Sequence, residues 1–310
     1  MYAVAFQPDG KHLLGGNDNG IHRWQLPDGQ KVENKLGTSP VHAISASKNH
    51  KIVCATSNGA SVWDGDIGEK LIDVEVRNAV WAVHISPDST RFATGSSSKV
   101  NIWDITSGER LVGPLLQDNS VVGIRFSPTG EHIASACARS YICIFHSHTG
   151  DNLFTIKIDI PNRPSTPLAW STDGQQIFAI SRDEKIRSFD VSTGSLLVES
   201  QTLRNGDNDF GAIVPAANGK FIAAVAENSI SFLDTQTLTQ ICPSIKDSEE
   251  QRSIAISPDN SYLAITHWGG TITIRDLSSV LPDLYGPFHV SIFVFIVPTC
   301  WISLILFPSM

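Results

Sequence analysis

The sequence predicts an all-β fold: a seven-bladed β-propeller of four-stranded antiparallel blades, followed by an apolar C-terminal tail. Three observations predict it. A strand–turn–strand pattern recurs seven times at a nearly constant period, each copy carries turn chemistry at the same place, and the strands read as continuous apolar runs. The clearest copy is residues 79–111. An apolar strand, the turn Pro87-Asp88-Ser89, a second apolar strand, a short polar break and a third strand reaching Trp103 follow in order. The equivalent third-strand anchors are Trp24, Trp63, Trp103, Phe145, Phe189, Leu233 and Arg275, spaced 39, 40, 42, 44, 44 and 42 residues apart. A period of ~42 residues with several strands per unit is the length of one propeller blade. A lone blade leaves both faces of its sheet exposed, so neighbours must stack around an axis.

The first turn of each copy joins the first two strands. It reads Pro8-Asp9-Gly10, Lys48-Asn49-His50, Pro87-Asp88-Ser89, Pro128-Thr129-Gly130, Thr172-Asp173-Gly174, Ala217-Asn218-Gly219 and Pro258-Asp259-Asn260, the second being the weakest. Proline presets φ, and Gly or Asn accepts positive φ, so each group closes a hairpin. A second turn follows most anchors, as at Pro27-Asp28-Gly29 and Thr106-Ser107-Gly108. Four β-runs per unit make an antiparallel meander. Runs such as Phe221-Ile222-Ala223-Ala224-Val225 predict burial on both faces, which stacked blades require. The expected blades are 1–40, 41–78, 79–119, 120–165, 166–209, 210–250 and 251–289, with a tail at 290–310.

The residues Ser86-Pro87-Asp88 with Ile102-Trp103-Asp104, Val62-Trp63-Asp64, Ser127-Pro128 with Ile144-Phe145, Ser188-Phe189-Asp190 and Ser257-Pro258-Asp259 resemble the motifs of the WD-repeat β-propeller family, in degenerate form. The resemblance covers residues 1–289 and implies a protein-interaction platform. It also implies a His–Ser/Thr–Asp–Trp hydrogen-bond set within blades. Of that set, the Asp six residues before the anchor survives only as Asp18 and Asp183, so apolar packing is expected to hold the blades instead. The family usually closes its ring with an N-terminal strand in the last blade. Here the first inner strand begins at once, so the expectation is a closed ring without that interlock, its last outer strand near Leu284–His289, with one piece of a longer array as the alternative.

Bulk properties exclude several function classes. The net charge is -8 and the basic residues are scattered, which argues against a nucleic-acid surface. The five cysteines include no Cys-x-x-Cys pair and sit mostly in apolar strands, as expected of reduced thiols in a cytosolic or nuclear protein. Cys137 and Cys143 flank one turn, which leaves a cross-hairpin disulfide as a weak alternative. No Asn-x-Ser/Thr acceptor occurs, and no charged leader precedes an apolar run at the N-terminus. Residues 290–307 are almost wholly apolar, long enough for a membrane-spanning helix. Pro298, many β-branched residues and the lack of a basic flank speak against one. The tail is therefore read either as an anchor or as a non-native ending, and any membrane contact is expected only through residues 290–307.

No catalytic residue, cofactor site or metal site is assigned. Phosphate-loop, dinucleotide, zinc-protease and nucleophile-elbow motifs are all absent. His146 and His148 share a strand face but sit beside a surface turn, where an ordinary exposed pair is expected. The inner-strand ends read as largely apolar, which argues against a propeller-type hydrolase or metal-dependent enzyme.

Aligning the first turns puts Tyr2, His42, Trp81, Val122, Thr166, Gly211 and Arg252 at equivalent inner-strand starts. Aligning the anchors puts Asn17, Thr56, Ser96, Ala138, Arg182, Ala226 and Trp268 before the turn into the third strand. The large aromatic and cationic members, Tyr2, His42, Trp81, Arg252 and Trp268, fall on blades seven, one, two and three, which are contiguous in a closed ring. Such side chains concentrate binding energy at interface centres. The expectation is a non-catalytic scaffold that binds protein partners there. Alternatives are a membrane-tethered scaffold, a sensor fragment of a larger signalling protein, and an enzyme. Trp81 and Trp268 packed as core would remove the site.

Overall fold

A computed structural model describes residues 2–306 except 27, 38, 163–166, 204–210, 227, 248, 282–291 and 297–302. It shows seven antiparallel sheets, each built from strands consecutive in sequence. The inner strands are Ala3–Phe6, Val41–Ala46, Val80–Ile85, Val121–Phe126, Leu168–Trp170, Ala212–Pro215 and Gln251–Ile256. Six sheets have four strands and the last has five.

The repeat register holds in every blade. The anchors Trp24, Trp63, Trp103, Phe145, Phe189, Leu233 and Arg275 pair with Leu13, Ile52, Phe92, Ile133, Ile177, Ile222 and Leu263 of their second strands. The third residue of every first turn is left-handed: Gly10, His50, Ser89, Gly130, Gly174, Gly219 and Asn260 have φ between 57° and 77°. The weak Lys48-Asn49-His50 turn therefore adopts the same conformation as the rest. The Ser-Pro-Asp motif has a physical cause in these turns. Ser86 Oγ donates to Asp88 at 2.5 Å and accepts from the Arg91 N–H at 2.9 Å, and Ser257 does the same with Asp259 and Tyr262. One hydroxyl thus satisfies the turn carboxylate and starts the second strand.

The core consists of seven apolar clusters, and each joins two adjacent blades. Successive residues of one strand feed different clusters. Phe221, Ala223 and Val225 face blade seven, whereas Ile222 and Ala224 face blade five. Seven blades in an open row would share six interfaces. The seventh cluster packs Val4, Leu13 and Trp24 of blade one against Ala264, Ile272 and Ile274 of blade seven, so the ring is closed. All four strands of blade one come from the N-terminal segment, and among the described residues closure rests on side-by-side packing with no shared strand.

Two expectations need correction. The strand expected at Leu284–His289 lies outside the described residues. The fourth strand of blade seven is Ile292–Ile296, paired with Ile272–Asp276, and Ser303–Leu306 adds a fifth. These tail segments are strands, because β-branched and aromatic residues favour an extended backbone and the edge of blade seven supplies unpaired partners. No helix among the described residues is long and apolar enough to cross a membrane. Cys137 and Cys143 do not face each other: Cys137 pairs with Tyr141 and Cys143 with Ser135, and both thiols are free and buried.

The expected weakness of the polar network is visible. Trp103 donates to a blade hydroxyl, Thr94 Oγ1 at 2.9 Å, while the buried Trp24 Nε1 has no acceptor among the described residues. Asp183 is held in a local turn by Arg187, and Asp18 turns outward to another task.

Candidate functional site

The inner strands surround a central channel, and β-bulges shape one of its mouths. In blade two Val41 pairs with Thr56 and Ala43 with Ala55, leaving His42 as the extra residue. The same bulge isolates Trp81 in blade three, Val122 in blade four and Arg252 in blade seven. In blade one the Tyr2 N–H reaches the Gly16 carbonyl, opposite which Ala3 already pairs. A bulge re-aims the side chain it carries. Here it turns these residues from the blade faces toward the channel mouth, where Tyr2, His42, Trp81 and Arg252 all line the opening.

The five expected site residues form one unbroken ladder. The Arg252 guanidinium lies between two rings, 3.9 Å from the Trp268 centroid and 4.0 Å from that of Tyr2. Tyr2 is 6.3 Å from the His42 ring, and His42 is 4.6 Å from that of Trp81. Trp268 is 43% exposed, and the other four are half-buried. The remaining described inner-strand starts, Val122 and Gly211, are buried, and Thr166 lies outside the described residues. Among the described inner-strand starts, the large groups therefore fall on blades seven, one, two and three.

Local electrostatics hold the ladder in place. Tyr2 donates its hydroxyl to Asp18 Oδ1 at 2.6 Å, which keeps the phenol protonated and raises its pKa. His42 approaches Ser57 Oγ at 3.2 Å, and burial together with Arg252 lowers its pKa, so the ring is neutral at physiological pH. Each cation–π contact of Arg252 contributes about 0.5–1 kcal/mol at an exposed site and ~2 when desolvated.

Below the mouth the channel departs from expectation. Its walls carry Arg125 and His84, on adjacent blades, where the inner strands read as largely apolar. A signal for both was present in the repeat alignment. Three residues after the inner-strand start, the other blades have Ala5, Ser45, Ala169, Val214 and Ala255, so two large polar groups interrupt a layer of small ones. Asp18, in sequence a remnant of the blade hydrogen-bond set, serves the mouth through Tyr2. His146 and His148 sit away from the channel, with ring centroids 5.8 Å apart. Among the described residues no group of three His, Cys, Asp or Glu side chains is placed to hold a metal.

Comparison with known proteins agrees with this architecture. The sequence profile of the family "WD domain, G-beta repeat" matches residues 74–104, the segment that holds the inner, second and third strands of blade three. Blade three thus carries a WD repeat, within the fold of a seven-bladed β-propeller. The chain is 26% identical over 253 residues to eukaryotic translation initiation factor 3 subunit I of Aspergillus terreus, a match covering 76% of the chain and 70% of that protein. It is also 26% identical over 196 residues to WD repeat-containing protein SL1-17 of Schistosoma mansoni, covering 61% of the chain and 64% of the relative. Among solved structures, the β-propeller domain of Myceliophteria thermophila Cps50 (Swd1) superposes with a TM-score of 0.73 at 18% identity, over 87% of this chain and 94% of that one. At that identity the likeness concerns the fold alone.

Proposed function

We propose that this WD-repeat propeller is a non-catalytic scaffold that docks a protein segment across the channel mouth, on Tyr2, His42, Trp81, Arg252 and Trp268. The observation that carries the proposal is the ladder itself. Five side chains of the types that anchor interfaces stand in contact on four contiguous blades, and the outermost, Trp268, leaves 43% of its surface exposed. Packing within the blade does not demand them, since the equivalent bulge in blade four is served by valine. Rigid aromatics lose little conformational freedom when a partner covers them.

The relatives support the same class of function. One of them is named as a subunit of a translation initiation factor, that is, as a component of an assembly. An intracellular setting goes with the proposal, supported by four free cysteines among the described residues. The edge pairing of Ile292–Ile296 with blade seven favours a tail that completes the fold over one that tethers it to a membrane.

Affinity capture with the full chain tests the proposal. The native protein is compared with a Trp81→Ala, Arg252→Ala, Trp268→Ala variant first shown to be folded by circular dichroism. Partners captured by the native chain and lost by the folded variant are the expected result. The same partners on both would place docking elsewhere.

A further inference from the structure

The central channel is an unusual electrostatic object for an acidic chain. The cavity below the mouth has a volume of about 230 Å³, and its walls include Arg125, Arg252, His42 and His84 but, among the described residues, no Asp or Glu. The whole protein carries a net charge of -8, so a channel with two arginines and no acidic side chain among its described lining residues runs against the overall composition. Arg125 is central to this. Its inner strand, Val121–Phe126, points the side chain into the channel, and its backbone carbonyl is fixed by the Trp170 indole N–H at 3.1 Å. Among the described residues its guanidinium has no carboxylate partner and no hydrogen-bond acceptor. The residues at the same depth in the other blades, Ala5, Ser45, Ala169, Val214 and Ala255, are too short to reach across and fill the space in front of it. Arg125 lines the channel, and a guanidinium can present up to five N–H donors in a planar fork.

His84, one blade over at the same depth, is held so that it adds a donor. The Phe126 backbone N–H donates to His84 Nδ1 at 3.1 Å, so in the neutral ring the proton sits on Nε2. Burial, and Arg125 next to it, keep that ring neutral by pushing its pKa well below the usual histidine range. Burial also lowers the Arg125 pKa to about 10, which still leaves a full cation at neutral pH. A shielded cation without a counter-charge is costly unless an anion answers it. Low-dielectric walls concentrate its field along the channel.

We infer that the central channel is an anion site, in which Arg125, with His84 beside it, binds a compact carboxylate or phosphate group that enters past the aromatic mouth. The anion can be a free small ion or an acidic side chain of a docked segment, and both use the same guanidinium fork. The site stands apart from the docking proposal, because a free anion can occupy the channel with no segment on the ladder.

The test uses the full chain and two probes, inorganic phosphate and the peptide acetyl-Gly-Glu-Gly-amide. Sodium chloride at matched ionic strength and the Gln-containing peptide are the controls. Binding is followed by calorimetry and by thermal melting. The native protein is expected to bind at least one probe with a rise in Tm. Arg125→Met is expected to bind it at least tenfold more weakly and to melt higher than the native protein in anion-free buffer, since its unpaired charge is gone. Arg125→Lys, which keeps the charge but loses the fork, covers the case in which the Met variant does not fold, and it too is expected to bind more weakly. Phosphate binding alone identifies a free ion as the source, and binding of the Glu peptide alone identifies a partner's side chain. No response of the native protein to either probe, or undiminished binding by Arg125→Met, overturns the inference. So does a loss of phosphate binding in Arg252→Ala with none in Arg125→Met, which would put the anion at the mouth.

Discussion

Arg252 and Trp268 come from opposite ends of one hairpin in blade seven, and the guanidinium of the first lies 3.9 Å from the ring centre of the second. The contact exists because a bulge ejects Arg252 from the inner strand, while the Trp268 backbone N–H, bonded to the Glu250 carbonyl at 3.0 Å, fixes the turn beside it. Trp268 is half out of the fold, so its loss should be tolerated. Trp268→Ala is expected to cost about 1 kcal/mol of stability, the worth of an exposed cation–π pair, in urea unfolding. A loss of ~3 kcal/mol or more, typical of a core Trp, would show that Trp268 is a packing residue.

The Tyr2 phenol should report on its neighbour. Its pKa is raised because Asp18 accepts its proton at 2.6 Å. In Asp18→Ala the Tyr2 ionisation is expected to fall back toward 10, the ordinary tyrosine value. Difference absorbance of the phenolate against a Tyr2→Phe background isolates that transition. An unchanged midpoint would mean that the hydrogen bond does not control Tyr2.

Acid should weaken the fold before the carboxylates titrate. Both His42 and His84 have lowered pKa values in the folded state, His84 far more so, chiefly through burial. The unfolded chain therefore binds protons first, near pH 6.5. Stability from these rings is fully present above that pH and declines as pH falls below it. His84→Asn keeps an acceptor for the Phe126 N–H but cannot titrate. Its urea midpoint is expected to change less between pH 7.5 and 5.0 than that of the native chain. Equal slopes would contradict the assignment to His84.

Arg91 clamps two blades. Its guanidinium donates to Gly130 O at 3.1 Å, to Ser147 Oγ at 3.1 Å and to Ser147 O at 3.3 Å, and it stacks on Phe126 at 5.5 Å. Arg91→Met keeps the apolar stem but strands buried acceptors. It is expected to cost about 2–3 kcal/mol, read by denaturant unfolding. A cost below ~0.5 kcal/mol would show that the clamp is not used.

The turn at His50 carries strain that glycine relieves. His50 has φ 57°, where a side chain meets its own backbone, while the matching positions in blades one and four are Gly10 and Gly130. His50→Gly is expected to be neutral or to stabilise by up to about 1 kcal/mol, despite the greater freedom of the unfolded glycine, because the left-handed conformation costs ~1–2 kcal/mol with a side chain present. A clear destabilisation would mean that the exposed His50–Asp66 contact at 3.1 Å outweighs the strain.

Much of this architecture can be read from spacing. The anchors fix the third strands, the Ser-Pro-Asp turns fix the first hairpins, and together they place Tyr2, His42, Trp81, Arg252 and Trp268 at one mouth. What spacing does not carry is direction. Strict alternation of side chains would send His42 and Ile44 to the same face, and only the bulge between Val41 and Ala43 breaks that parity. The contact of Arg252 with Tyr2 spans the closure between the last blade and the first, so no local pattern encodes it. Arg125 and His84 were visible in the alignment as large residues in a row of small ones, but a look at strand ends alone passes over the middle of the channel. The tail's length and apolarity fit a membrane helix, whereas its β-branched residues favour an extended strand. Its pairing depends on the open edge of Ile272–Asp276, a tertiary fact.

Hydrogen exchange on the full chain, with and without a captured partner, tests the central claim most directly. If the mouth is the docking face, protection rises in Tyr2–Val4, Val41–Ala43, Val80–Ala82, Gln251–Ser253 and the turn around Trp268, and stays unchanged in the outer strands. Protection confined to the outer strands, or to the opposite mouth around Pro8, Lys48 and Pro87, would contradict it.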